Sequence, residues 1–233
     1  MPYLVPPVLK TGSLAQLAQP VLITGPVALR PWTPDDVPLL VEAYADPAIR
    51  RWHARSMTEA EALDYVYDWP RRWDDEVGAG WAVEVGEAVV GQVSLRRIRM
   101  DDAAAEFSYW VLPTGRGQGV AVAAVEAVTR WAFAEVGIVR LEVDHSTLNQ
   151  PSCRVATKAG FELEGTLRRH AKHVDGWHDM HRHARLNPVL DAGAVEMQHV
   201  ENQDVENQDV ENQDVENQDV EKLGPASRSG TGR

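Results

Sequence analysis

Two periodicities alternate along the chain. Between Thr33 and Pro47, apolar Val37, Leu40, Val41 and Tyr44 recur at helical spacing, with Thr33 as a helix cap, Pro34 in the first turn and Asp35 and Asp36 beside it. TPDDVPLLVEAYADP therefore predicts an amphipathic helix. A second helix opens at Ser56 or Thr58, with Glu59 and Glu61 near its start, and runs through Leu63, Val66 and Tyr67 towards Trp73, with Trp69–Pro70 as a place to kink. Period-two, β-branched stretches predict strands at 27–32 (VALRPW), 81–85 (WAVEV), 88–95 (AVVGQVSL) and 103–112 (AAAEFSYWVL). The second and third of these form a hairpin about Gly86–Glu87. Residues 120–136 are apolar apart from Glu126, Thr129, Arg130 and Glu135 and end at Gly137, which predicts a largely buried helix. A short central strand at 139–143, a helix from Gln150 to Ala159 and strands at 161–167 and 177–186 complete an α/β sandwich on a mixed sheet.

The two ends do not follow these patterns. Residues 1–21 are proline-rich and read as an extended arm, leaving 22–190 as one domain and 191–233 as a tail. Four perfect copies of ENQDV fill 201–220. A five-residue period turns successive valines by about 140° in a helix, and it alternates them between faces in a strand. Neither structure gains an apolar side, so the tail is expected to be a solvated, disordered, acidic segment.

That tail changes the meaning of the charge. The 233 residues carry a formal charge of −12, but from Glu201 onward nine acids face three bases, so the tail supplies −6 of it. An acidic chain is a poor nucleic-acid or anionic-membrane binder, and neither partner is expected. The longest uncharged run, Thr11 to Leu29, contains glycines, glutamines and prolines and is too polar to span a membrane; the first residues lack the pattern of a signal peptide. A single cysteine, Cys153, excludes an internal disulfide and fits a reducing, cytoplasmic compartment.

The stretch that carries chemistry is EFSYWVLPTGRGQGVA at 106–121. A strand enters a loop with glycines at 115, 117 and 119, and an apolar helix starts at once. Glycines let a backbone approach a ligand, and a helix N-terminus offers unpaired N–H groups with partial positive charge, so the arrangement suits a pyrophosphate, with Arg116 as an added cation. A Walker loop would need Gly-Lys-Ser/Thr where Gly119 precedes Val120 and Ala121; a Rossmann fingerprint would need G-x-G-x-x-G at the first strand. Both fail. Arg116-Gly117-Gln118-Gly119-Val120-Ala121 instead matches the R/Q-x-x-G-x-G/A loop that holds acyl-CoA, and the chain here resembles the GNAT acyltransferase superfamily. A second block, NQPSCRVATKAGFELEGTLR at 149–168, resembles the branch of ribosomal-protein N-terminal alanine acetyltransferases.

The resemblance implies a GNAT fold, a mostly antiparallel sheet flanked by helices with two splayed central strands, and acyl-CoA, most simply acetyl-CoA, lying between them. Pantetheine would follow Trp110, Val111 and Leu112, the pyrophosphate would meet the N–H groups of Arg116 to Ala121, and Asn149 and Ser152 match positions near the thioester and pantetheine arm. Transfer to a primary amine needs a neutral nucleophile, a stabilised oxyanion and a proton for the departing thiolate. Glu106 is the candidate base, with a solvated strand carboxylate as the competing reading. A backbone N–H near Val111 would meet the oxyanion. Ser152 is the candidate proton donor unless it caps its helix, and Tyr109 is the alternative donor, with a core tyrosine as the competing reading.

Five of the eight histidines, His170, His173, His178, His181 and His183, fall within 14 residues, and the last two share a strand face. Their spacing matches no zinc motif and acyl transfer needs no metal, so no metal is expected and they are read as lining an acceptor pocket or standing on a solvated strand. Cys153 reads as a small residue packed on a helix, and Trp52, Trp69 or Trp73 could wall the acceptor site. The expected partners are acyl-CoA and an amine acceptor, a protein N-terminus or a small molecule, with the chain as a monomer or homodimer. Acetyl or succinyl donors both fit. The rival from another class is a non-catalytic acyl-CoA-binding module.

Overall fold

The computed structural model describes residues 5–188, so the tail expected at 191–233 lies outside the described residues. One sheet of eight strands runs β1 (Leu22–Thr24), β2 (Val27–Pro31), β3 (Gly78–Val85), β4 (Ala88–Arg99), β5 (Ala104–Val111), β6 (Arg140–Ser146), β8 (Gly176–Leu186), β7 (Glu162–His173). All neighbours are antiparallel except β5 and β6. Five helices cover its two faces: α1 (Val37–Ala45), α2 (Pro47–His53), α3 (Glu59–Asp74), α4 (Val120–Trp131) and α5 (Gln150–Lys158). The expected mixed, mostly antiparallel α/β architecture is the observed one. No helix among the described residues is long and apolar enough to cross a membrane.

Strand alternation divides the core in two. On β3, Trp81 packs with Val125, Val128 and Trp131 of α4, while its neighbour Ala82 packs with Leu40, Val66 and Trp69 of α1 and α3. Trp69 lies so close to β3 that a Cβ on Gly80 would come within 2.4 Å of its ring; only glycine fits there. Of the two starts expected for the second helix, Thr58 is the one observed, capping α3 reciprocally with Glu61, and the helix continues through Pro70. The apolar run after Gly119 is helical to Trp131 and then winds as a π-helix over Ala132–Val136 before Gly137 ends it.

The proline-rich arm departs from the extended form expected of it. Residues 11–16 make turns, and Leu14 is fully buried in the larger core. The reason is Glu76, a buried carboxylate just beyond α3, which accepts hydrogen bonds from the N–H groups of Gly12 (2.6 Å), Leu14 (2.7 Å) and Ala15 (3.2 Å). A buried carboxylate must find donors, and here the arm supplies them. Trp73 and Trp81 add indole N–H bonds to the carbonyls of Leu17 and Pro20. Glu76→Ala removes the acceptor and strands three donors, at a cost of about 2 kcal/mol. For a domain of this size that corresponds to a fall of roughly 4–8 °C in the thermal midpoint; an unchanged midpoint would show that the arm is not anchored this way.

Candidate active site

The site begins where two strands part. β5 and β6 pair in parallel only over Ala104–Glu106 against Arg140–Glu142, after which each follows its outer neighbour alone. The Leu112 N–H donates to the Val90 carbonyl at 2.8 Å, and since groups on an antiparallel strand alternate sides, Val111 turns its N–H and C=O away from β4 towards the gap. Two free groups on this edge find side-chain partners: Arg116 Nε donates to the Val111 carbonyl at 2.9 Å, and His53 hydrogen-bonds the Tyr109 backbone.

A cavity of about 550 Å³ occupies one end of this gap. Its walls include Trp110, Val111, Arg116, Gly117, Gly119, Val120 and Ala121, all expected to meet a cofactor, with Asn149 and Ser152 of the second block opposite. Gly117 and Gly119 take φ of +79° and +78°, left-handed values that cost other residues energy, and a Cβ at either would meet open space. Gly119 caps α4 without any side-chain acceptor, so the first N–H groups of that helix are left for a ligand. Two expected contacts do not line the cavity. Leu112 is buried in the core beneath α1 and α3, and the Gln118 side chain folds back to donate to the Thr114 carbonyl.

The structure adds cations that sequence reasoning missed. Arg154 and Lys158 of α5 line the same cavity. Their spacing of four on one helix face was the available signal, but it equally suits a solvated face. Arg116, by contrast, is already paired: its guanidinium meets Asp46 at 3.0 Å, and Asp46 also caps α2 by accepting from the N–H groups of Ala48 and Ile49. Arg116 thus ties the glycine loop to α2.

A second cavity, of about 310 Å³, lies at the other end of the gap. Glu106, Arg97, His170 and His173 help to line it, and Trp52, His53, Tyr109, Asn149 and Ser152 line both cavities. Of the three tryptophans considered, Trp52 is therefore at the site while Trp69 and Trp73 are core. Glu106 is neither solvated nor free: both its oxygens accept from Arg97, at 2.8 and 2.6 Å. A bulge in β4 between Arg96 and Arg99, with Arg97 at φ +50°, aims that guanidinium.

Ser152 and Tyr109 form the junction. The alternative that Ser152 caps α5 is overturned, because Asn149 is the cap and its Oδ1 accepts from the Ser152 N–H at 3.2 Å. The Ser152 hydroxyl instead lies 2.8 Å from the Tyr109 hydroxyl. Burial pushes the Tyr109 phenol up to about 12, partly offset by the Ser152 hydrogen bond, so it is a neutral O–H at physiological pH.

His53 also escaped sequence reasoning. Its helix, α2, has only seven residues and no readable apolar period. Burial first, then the positive field of Arg96 with smaller contributions from Arg55 and His173, holds its imidazole down to about 4 against an opposing bond to the Tyr109 backbone. The unfolded chain takes up that proton first as pH falls, so the stability linked to His53 is complete above about 6.5 and is lost between there and about 4. Urea midpoints measured across this range should fall with pH in the wild type and fall less steeply in His53→Gln; equal slopes would assign the acid sensitivity elsewhere.

Residues 27–162 match the acetyltransferase (GNAT) domain family. An N-acetyltransferase of Bacillus subtilis, YoaA, is 23% identical over 155 residues, which cover 65% of this chain and 88% of that protein. The ribosomal-protein-serine acetyltransferase of Escherichia coli is 31% identical over 101 residues, covering 43% of this chain and 56% of its own length. Among solved structures, the ribosomal-protein α-N-acetyltransferase RimL in complex with coenzyme A superposes with a TM-score of 0.67 at 19% identity, over 72% of this chain and 98% of that one. With more than half of its length matched by the family and with the family's sheet, glycine loop and opened strand pair in place, the chain belongs to the GNAT acetyltransferases.

Proposed function

We propose that this acetyltransferase moves an acetyl group from acetyl-CoA to a primary amine by direct attack while both substrates are bound. The observation that carries the reading is the meeting of two cavities at one hydroxyl pair, Tyr109 and Ser152. The larger cavity suits the donor: an apolar channel along Trp110 and Val111 for pantetheine, an N-terminal helix cradle for the pyrophosphate, and Arg154 and Lys158 for further phosphate charge. The Val111 N–H, facing the gap, is placed to meet the thioester oxygen as it becomes an oxyanion.

The smaller cavity suits the acceptor. Its volume admits the end of a chain or a small amine, and its walls carry both signs of charge, Glu106 paired with Arg97 and Asp144 with Arg182, beside Arg96 and Lys172. An α-amine, with pKa about 8, loses its proton more readily than a lysine-type amine at about 10.4. A protein N-terminus is therefore the acceptor the chemistry favours, in keeping with the likeness to ribosomal-protein acetyltransferases. Glu106, whose two oxygens are held by Arg97, receives the amine proton directly or through water, and the Tyr109–Ser152 pair returns a proton to the coenzyme A thiolate.

Thiol release from acetyl-CoA, measured with a panel of N-terminal peptides and small amines, tests the reading. Turnover should be detectable, and Tyr109→Phe, Ser152→Ala and Glu106→Gln should each lower kcat by about 10²-fold or more while leaving the KM for acetyl-CoA within a few-fold. Tight coenzyme A binding with no turnover on any acceptor would instead make the chain a binding module. For the donor site, Gly119→Glu strains a left-handed backbone position and places a carboxylate in the cradle, so calorimetry should show at least about a tenfold loss in coenzyme A affinity, and a larger loss than Gly119→Ala, which carries the backbone strain alone. Unchanged affinity would remove the loop from the donor site.

A further inference from the structure

The histidines of the last strand meet others that the sequence does not place beside them. In the β6–β8 register His145 stands opposite His181, and Val143 opposite His183. Residues two apart share a face, so all three imidazoles project from the same side of the sheet. That side is crossed by α5, which brings Cys153 to them. One donor atom from each of His145, Cys153, His181 and His183 lies within 4.8 Å of the other three. Cys153 Sγ is 3.9 Å from His183 Nε2, and the rings of His145 and His183 stack at 5.1 Å.

Hydrogen bonding decides which nitrogens face inward. His145 Nδ1 is 2.8 Å from the Ser146 carbonyl, and His183 Nδ1 is 3.3 Å from the Phe161 carbonyl. A carbonyl only accepts, so each Nδ1 carries the proton and each Nε2 keeps its lone pair. His145 is 4% and His183 2% exposed, yet His145 Nε2 has no hydrogen-bond partner, and neither has the buried His181 Nδ1. Unpaired buried nitrogens cost stability. An imidazole whose far N–H is held by a carbonyl is also the arrangement that orients histidine towards a metal.

We propose that His145, Cys153, His181 and His183 form a tetrahedral site for a divalent cation of the zinc class. Three imidazoles and one thiolate are borderline-soft donors in the number that structural zinc takes. Bond lengths of about 2.0–2.3 Å set donors about 3.3–3.7 Å apart, so the four need close by only about 1 Å. Binding replaces the thiol proton, which leaves to solvent, and nothing is oxidised or reduced. His145 also forms part of the wall of the smaller cavity, which gives the ion a route in. The bound ion would clamp α5 to β6 and β8 one residue from Ser152 without entering the transfer chemistry.

The test uses the full chain, purified without a histidine tag and stripped with chelator. Zinc titrated against a chromophoric competitor should bind at one equivalent. Cobalt(II) should give the intense visible bands of a tetrahedral centre together with a thiolate-to-metal charge-transfer band. Cys153→Ser, a near-isosteric change at a half-buried position, should abolish that band and weaken zinc binding by at least about tenfold. His181→Gln should weaken it similarly, whereas His170→Gln, outside the cluster, should leave one equivalent bound. Substoichiometric binding, a cobalt spectrum lacking the charge-transfer band, or a Cys153→Ser protein that binds like wild type would each overturn the site. A loss as large in His170→Gln would transfer the binding to the outer histidines and overturn it equally.

Discussion

Everything at the working end of this protein follows from the separation of β5 and β6 beyond Glu106 and Glu142. Their pairing is the one parallel contact in the sheet and lasts three residues. Each strand then stays with the neighbour that holds it over its whole length, β5 with β4 and β6 with β8. A sheet interior with unpaired backbone groups is costly, and the molecule meets the cost by filling the gap with side chains. Arg116 satisfies the Val111 carbonyl, His53 engages the Tyr109 backbone, and the Tyr109–Ser152 contact bridges from β5 to the start of α5. The elements that make the gap stable are also the walls of both cavities, so fold and site share one set of contacts.

Charge is organised on the same local scale. The chain's −12 says little about a gap whose donor end gathers Arg116, Arg154 and Lys158 around the uncapped start of α4. At the other end Arg96, Arg97, Glu106 and Asp144 share the smaller cavity. The bulge in β4 deepens this division, because Arg97 reaches Glu106 only by adopting a left-handed backbone. A carboxylate whose two oxygens both accept from one guanidinium is held in place.

What was legible in the sequence follows from how far each signal reaches. The hairpin at Gly86, the start of α3 at one of its two expected caps and the glycine loop are local patterns, and the structure shows each where the residues placed it. The two blocks that resemble acyltransferases put Asn149 and Ser152 across from the loop, and both line the cavity. The remainder depends on pairings between distant segments. Glu76 looks like one more polar residue at a helix end until Gly12, Leu14 and Ala15 are folded onto it. The helix α2 is too short for a period, although Asp46 before Pro47, a cap followed by proline in the first turn, was a usable sign of it. Missing α2 meant missing His53 and the partner of Arg116. Leu112 falls within the run that the family resemblance implies for the cofactor, but it packs into the core ahead of the turn at Pro113–Gly115.

The helix α5 joins these threads, because its nine residues work on two sides. Ser152, Arg154, Val155 and Lys158 line the larger cavity, while Cys153 and Ala156 face the sheet, Ala156 fully buried and Cys153 against His183. Side chains three and four apart on a helix move together, so whatever fixes the sheet side fixes the cavity side as well. Ala156, Ala159 and the flank of Val155 pack α5 on the core, and Asn149 secures its first turn. The contact with the histidines is one further restraint on where Ser152 stands, beside the Tyr109 hydroxyl's bond to the Ser152 carbonyl at 3.2 Å. Hydroxyls 2.8 Å apart tolerate little displacement before their hydrogen bond is lost. The geometry at the junction of the two cavities is therefore set partly by Cys153 and His183, which line neither of them.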